Sequence, residues 1–161
     1  MLKIGARNLK TAIAVFISLI ICKLLKQTYP FYACIAAVIC MQNSVENSFV
    51  IGKNRMIGTI IGGILGYLLS VLFGNSSVMC ALGIIIVIYI CNLLDKKGSV
   101  VISCIVFIAI MVNLKDVSAL EYAVLRVIDT LIGILVAILV NKYIKIEKIK
   151  LSKLFKKKEL D

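Results

Sequence analysis

Arg55-Met56-Ile57-Gly58-Thr59-Ile60-Ile61-Gly62-Gly63-Ile64-Leu65-Gly66-Tyr67-Leu68-Leu69-Ser70-Val71-Leu72-Phe73 decides the fold. Behind Arg55 no charge appears up to Phe73, and no side of a helical projection is left polar. A helix that is apolar all round must be covered by protein or by lipid. The rest of the chain has the same character, with 61% apolar residues and a single Pro among 161. A soluble domain carries roughly 45–50%. Because nearly every segment is a run instead of a stripe, lipid is the solvent that fits.

Six such segments can be marked: Leu9–Leu25, Tyr29–Met41, Met56–Phe73, Val78–Leu94, Ser99–Leu114 and Tyr122–Ile144. A spanning helix needs about 20 residues, so the second and fifth are short. The expected fold is all-α, a polytopic membrane protein of six transmembrane helices. Residues 1–144 form the membrane domain and residues 145–161 a basic cytoplasmic tail. With both termini inside, the inner connections carry fifteen Lys and Arg against three outside, Arg126 lying within the sixth segment. That satisfies the positive-inside rule, whereas five spans would leave the eight-Lys tail outside. The expected location is therefore the cell membrane, multi-pass, with N- and C-termini cytoplasmic.

Gly74-Asn75-Ser76-Ser77 and Asp95-Lys96-Lys97-Gly98 read as turns, and Gln42–Asn54 as the longest loop, lying along the inner surface. Lys3, Arg7 and Lys10 ahead of an apolar run imitate a signal peptide. No small-residue cleavage site follows, so an uncleaved first span is expected.

Arg55-x-Ile57-x-Thr59-x-Ile61-Gly62 recurs 71 residues later as Arg126-x-Ile128-x-Thr130-x-Ile132-Gly133. With one or two residues of slip, Ile21-Cys22 pairs with Ile90-Cys91, and Cys34, Met41 and Asn43 with Cys104, Met111 and Asn113. Three spans per unit is odd, so the second unit must enter the bilayer from the opposite side. The chain thus reads as two inverted three-helix repeats, an arrangement found in many transporters.

Gly58, Gly62 and Gly66 recur every fourth position, with Gly63 adjacent, and Gly133 holds the corresponding place in span six. Small residues at this spacing let helix backbones approach closely in lipid, so helix packing is their expected role. Arg126 and Asp129, one turn apart, are the sharpest signal, because ionisable groups inside a span are expensive and suggest function. Arg126 can offer its guanidinium fork to a carboxylate while Asp129 orients it or simply neutralises it. Arg55 is its counterpart, a substrate contact near the inner mouth or a snorkelling anchor. Thr59 and Thr130 follow each Arg by four positions and either back-bond the helix or line a polar path.

Enzymatic chemistry has no support: no span holds a carboxylate pair, and no nucleophile elbow or phosphate loop occurs. The six Cys fall within apolar segments and read as small hydrophobes; with no His, no metal or other cofactor is expected. The net charge of +11 flanks membrane segments without a recognition motif, so nucleic acid is not an expected partner. Lys-rich residues Tyr143–Asp161 suit either an amphipathic helix on anionic membrane lipids or a solvated tail.

Gly5-Ala6-Arg7-x-x-Lys10-Thr11-Ala12, Pro30-Phe31-Tyr32-Ala33, Met41-Gln42-Asn43-Ser44 and the two Arg-Thr-Gly elements together resemble the membrane domain of the aromatic acid exporter family, the fusaric-acid-resistance-like group. That resemblance implies a six-helix unit exporting small aromatic or other organic acids, usually energised by the proton gradient. Relatives in this family add a cytoplasmic domain or a second membrane half. A homo-oligomer, a dimer or higher, is the expected form of this chain. The residues themselves include no His or midplane acid suited to a proton relay. The competing expectation is a non-transporting scaffold or accessory subunit whose tail binds lipid or a partner.

Overall fold

The computed structural model describes residues 5–27, 30–112 and 118–144. They form six α-helices and one 3-10 turn, and no strand occurs among the described residues. The helices are α1 (Ala6–Leu24), α2 (Phe31–Cys40), α3 (Val45–Phe73), α4 (Ser77–Leu93), α5 (Val100–Met111, preceded by the turn Lys97–Ser99) and α6 (Ala119–Tyr143). Each expected apolar segment coincides with one helix. Lys3, Asn113, Lys115 and the tail 145–161 lie outside the described residues.

One expectation is corrected. Residues 42–54 are not a loop, because α3 starts at Val45. The extended Ser44 accepts a hydrogen bond from the Asn47 amide at 3.1 Å, and Glu46 lies in the first turn at the positive end of the helix dipole. With 29 and 25 residues, α3 and α6 are long and apolar enough to cross a membrane. The apolar helices α2, α4 and α5 are shorter. Large apolar side chains such as Phe16, Leu72, Ile85, Val101 and Leu139 stand exposed around the outside. Water does not tolerate so extensive an apolar exterior, but hydrocarbon does.

The helices pack as two like sets. In each, the first helix touches the second and the second touches the third: α1–α2–α3 and α4–α5–α6. Across the sets, α2 packs on α6 as α5 packs on α3, and α1 on α6 as α4 on α3. Long helices α3 and α6 pack on each other. Exchanging the two sets therefore leaves the table of partners unchanged. Burial follows the same rule: Ala14, Ser18 and Cys22 are the buried stripe of α1, and Gly83, Val87 and Cys91 that of α4. The first helices of the two sets, α1 and α4, also end alike. Lys26 and Asp95 both take φ 53°, with the next amide bonding back to Cys22 and Cys91 at 2.9 and 2.8 Å. This is a Schellman closure made twice without glycine.

Glycines set the crossings. A Cβ on Gly62 would strike the backbone of Ser103 in α5, and one on Gly133 would strike the backbone of Ala33 and the Cβ of Ala36 in α2. Gly58 and Gly66 face Ile102 and Ile110, also of α5. Gly63 faces α6 instead, against Ala123. Since Gly52 meets Ile134 while Gly63 meets Ala123, α3 and α6 run antiparallel.

At one end a polar cluster ties four helices together. Lys10 of α1 donates to the Asn141 carbonyl and Oδ1 of α6 at 3.1 and 3.0 Å. Asn141 Nδ2 donates to the Gln42 carbonyl after α2 and to Ser48 Oγ of α3, both at 3.0 Å. Each buried polar atom in this group therefore finds a partner, which low dielectric demands.

Candidate functional site

Arg126 follows Ala119 by seven residues, about two turns into α6. It is 3% exposed, and its guanidinium carbon lies 3.4 Å from the centroid of the Tyr32 ring on α2. Contact of this kind is a cation–π stack, strongest where water is excluded. The Tyr122 ring stands 6.0 Å from the same carbon. Tyr122 donates its hydroxyl hydrogen to Tyr32 Oη at 2.9 Å, and the two rings meet edge to face, with centroids 6.2 Å apart. The guanidinium is thus held flat by one ring whose orientation the other ring fixes.

Holding the plane leaves the edges available. Nε and Nη1 of Arg126 are buried and donate to nothing. Together they carry three of the five N–H groups of an arginine side chain. Asp129, one turn further and 1% exposed, acts on Arg126 electrostatically and faces the neighbourhood of Cys22 and Cys34. Such a cluster, with one cation held rigid and unused donors turned inward, suits a planar oxyanion.

Arg55, 7% exposed, also leaves its Nε without a partner. Ten residues of α3, 45–54, precede it. From the antiparallel register, Arg126 is level with about residue 60 of α3, so the two arginines are about 7–8 Å apart along the helix pair. Their charges are close enough to repel.

Thr59 donates its hydroxyl to the Arg55 carbonyl at 2.9 Å, so it back-bonds the helix. Thr130 is buried at the level of Arg55. All five polar residues singled out from the sequence, Arg55, Thr59, Arg126, Asp129 and Thr130, therefore gather in the central turns of the α3–α6 pair. The five glycines of the packing motif serve helix contacts around that centre. No group of three or more potential metal ligands occurs among the described residues.

Tyr32 and Tyr122 stand at this centre, although neither is among the candidate site residues read from the sequence. Tyr122 had a local signal, standing one turn before Arg126 on the same helix face. Tyr32 had only its place in the Pro30-Phe31-Tyr32-Ala33 element, and the crossing of α2 over α6 at Gly133 brings it there. The two sets of helices differ at this point. In the α3 half, Gly58 stands where α6 has Asp129, and Ile102 of α5 where α2 has Tyr32, so the aromatic and acidic groups surround Arg126 alone.

An all-helical protein with an apolar exterior and a buried cationic centre is the class that this architecture defines. The chain belongs to the aromatic acid exporter family, an exporter-type family of membrane proteins, since the family model described as aromatic acid exporter family member 1 matches residues 2–144. It is similar to UPF0421 protein YgaE of Bacillus subtilis, with 31% identity over 140 residues, covering 87% of this chain and 39% of that protein. UPF0421 proteins of Staphylococcus epidermidis and Staphylococcus aureus are 28% and 29% identical over 139 residues, covering 86% of this chain and 42% of theirs. The chain thus spans about two fifths of the length of these relatives. No solved structure matches the chain.

Proposed function

We propose that this chain is a unit of an exporter for small aromatic or other organic acids, with Arg126 as the carboxylate anchor. The observation that carries the proposal is the guanidinium stacked on Tyr32 at 3.4 Å with Nε and Nη1 unused. A buried, pre-oriented guanidinium has already given up its water and its rotational freedom. An arriving carboxylate therefore gains charge-assisted hydrogen bonds without that cost. Tyr32 and Tyr122 supply aromatic surface beside the anchor.

In this proposal the six helices all cross the plasma membrane, with the termini in the cytoplasm. The two helix sets are inverted repeats whose symmetry centre lies near Gly58 and Asp129. Support comes from the unchanged table of helix partners, the recurring buried stripes and the antiparallel α3–α6 pair. An inverted repeat places the substrate site where its halves meet, which is where the arginines gather. Assembly as a homo-oligomer, and association of the basic tail with anionic lipid, belong to the same proposal.

The test is benzoate counterflow in proteoliposomes of the purified chain. Arg126→Gln should abolish it, while Arg126→Lys, which keeps charge but loses the fork, should retain a minor fraction. Undiminished counterflow in Arg126→Gln protein that elutes as the parent does would refute the role given to Arg126.

A further inference from the structure

We infer that the groove between the start of α1 and the end of α2 seats one anionic glycerophospholipid of the inner leaflet, with Arg7 on its phosphate and Val38 and Ile39 under its acyl chains. The inference rests on the membrane orientation proposed above and not on the role given to Arg126.

Arg7 reaches Asn43 just past α2, so the first turns of α1 lie beside the last turn of α2 and the two helices run antiparallel. Between them is a groove of about 500 Å³, within the size range of small-ligand sites. Its lining is graded. Arg7, Asn8 and Gln42 form the rim. Thr11 lies one turn further along α1, and Val38 one turn back along α2 with Ile39 beside it. Polar groups thus stand at the helix ends and apolar ones deeper, the order of a phospholipid's head and chains. Val38 and Ile39 are 49% and 43% exposed, so the deeper part opens on the outside of the bundle, where a lipid can enter sideways. A free organic anion would satisfy the rim and leave these two side chains uncovered. A phospholipid matches both.

The rim is suited to a phosphate. Arg7 is exposed, and its hydrogen bond to Asn43 Oδ1 is 3.5 Å long, a weak contact that a charged oxygen can replace. Lys10 and Lys142 add positive charge at the same end, Lys10 bonded to Asn141 and Lys142 next to it in sequence. Glu46 of α3 is not among the lining residues. Gln42 donates one amide hydrogen to the Ile39 carbonyl at 2.7 Å and has a second beyond it. Thr11 gives its hydroxyl hydrogen to the Arg7 carbonyl, so it shapes the groove without donating into it. The main chain of Gln42 is fixed on both sides, donating to Ser48 Oγ at 3.2 Å and accepting from Asn141 at 3.0 Å. A seat already held in place loses little freedom when its ligand arrives.

The other half of the repeat lacks this seat. In the pairing that sets Cys22 against Cys91, Arg7, Lys10 and Thr11 correspond to Ser76, Met79 and Cys80, and Gln42 falls opposite Val112. The mirrored groove, at the opposite face of the bilayer, therefore has no cation. A seat for an anionic headgroup on one side alone fits the cytoplasmic leaflet, whose lipids carry the negative charge.

The test is thermal unfolding of the purified full chain in neutral detergent, titrated with phosphatidylglycerol, phosphatidylcholine or inorganic phosphate. Phosphatidylglycerol should raise the unfolding temperature saturably, and the other two should not. Arg7→Gln should raise the half-saturating concentration about tenfold, the loss of one charge-assisted contact. Val38→Ser should weaken the response as well, because the chains lose part of their apolar seat. Lys53→Gln, which removes an exposed cation of α3, and Arg126→Gln should both respond as the parent does. The basic tail is intact in every variant, so its own attraction for lipid cancels from the comparison. A parent-like response in Arg7→Gln and Val38→Ser overturns the inference, as does equal stabilisation by phosphatidylcholine or by inorganic phosphate. Loss of the response in folded Arg126→Gln protein also overturns it, by placing the anion in the interior. A lipid response kept by Arg126→Gln protein that has lost benzoate counterflow is the result expected if both readings hold.

Discussion

Replacing Tyr32 by leucine removes the surface on which the Arg126 guanidinium lies, 3.4 Å from the ring centroid. Leucine keeps much of the volume, so α2 and α6 can still cross at Gly133. What is lost is the stack, about 2 kcal/mol for a desolvated cation–π contact. If that energy holds the guanidinium in its binding orientation, benzoate affinity falls about thirtyfold. Phenylalanine is the control. It keeps the ring and loses the hydroxyl that accepts from Tyr122, 2.9 Å away, a hydrogen bond worth about 1 kcal/mol or roughly fivefold. The assay is equilibrium binding of radiolabelled benzoate to purified protein, with thermal unfolding as a check on folding. Equal affinity losses in Tyr32→Leu and Tyr32→Phe would refute the stacking argument, because the ring would then contribute nothing.

Two further predictions concern the frame. Gly62→Val and Gly133→Val put methyl groups into the backbones of Ser103 and Ala33, and each should lower the unfolding temperature by the equivalent of about 2–3 kcal/mol. Gly63→Ala meets only the Ala123 Cβ at 3.4 Å and should unfold within about 0.5 kcal/mol of the parent, since that distance is near ordinary contact. Lys10→Met and Asn141→Leu should each cost about 1–3 kcal/mol in thermal unfolding, because each leaves buried partners in the four-helix cluster unmatched. Little non-additivity in the double variant would contradict the hydrogen bonds that join them.

Much of the helix order was legible because charge and turn residues punctuate the apolar runs. Gln42–Asn54 misled for the same reason: Glu46, Asn47, Lys53 and Asn54 interrupt hydropathy without interrupting a helix. The cap at Ser44 was present in the sequence, but a cap gains weight only once the helix behind it is suspected. The 71-residue echo exposed the relation between α3 and α6, since Arg, Thr and Gly are rare enough in apolar runs to register. For α1 and α4 the echo slips by two residues, and the small stripes Ala14, Ser18, Cys22 and Gly83, Val87, Cys91 are hidden among larger hydrophobes. Arg126 and Asp129 stood out because charge in an apolar helix has few innocent explanations. Tyr32 did not, because its role depends on a crossing between helices nearly a hundred residues apart in sequence, and a tyrosine near a span end is ordinary.

The central claim is that Arg126 is the anion anchor inside the bundle. Equilibrium binding of benzoate to purified parent and Arg126→Gln protein tests it most directly, with Lys10→Met as a cationic change outside the site. The account predicts saturable binding in the parent and in Lys10→Met, and none in folded Arg126→Gln. Parent-like binding by folded Arg126→Gln protein would contradict it.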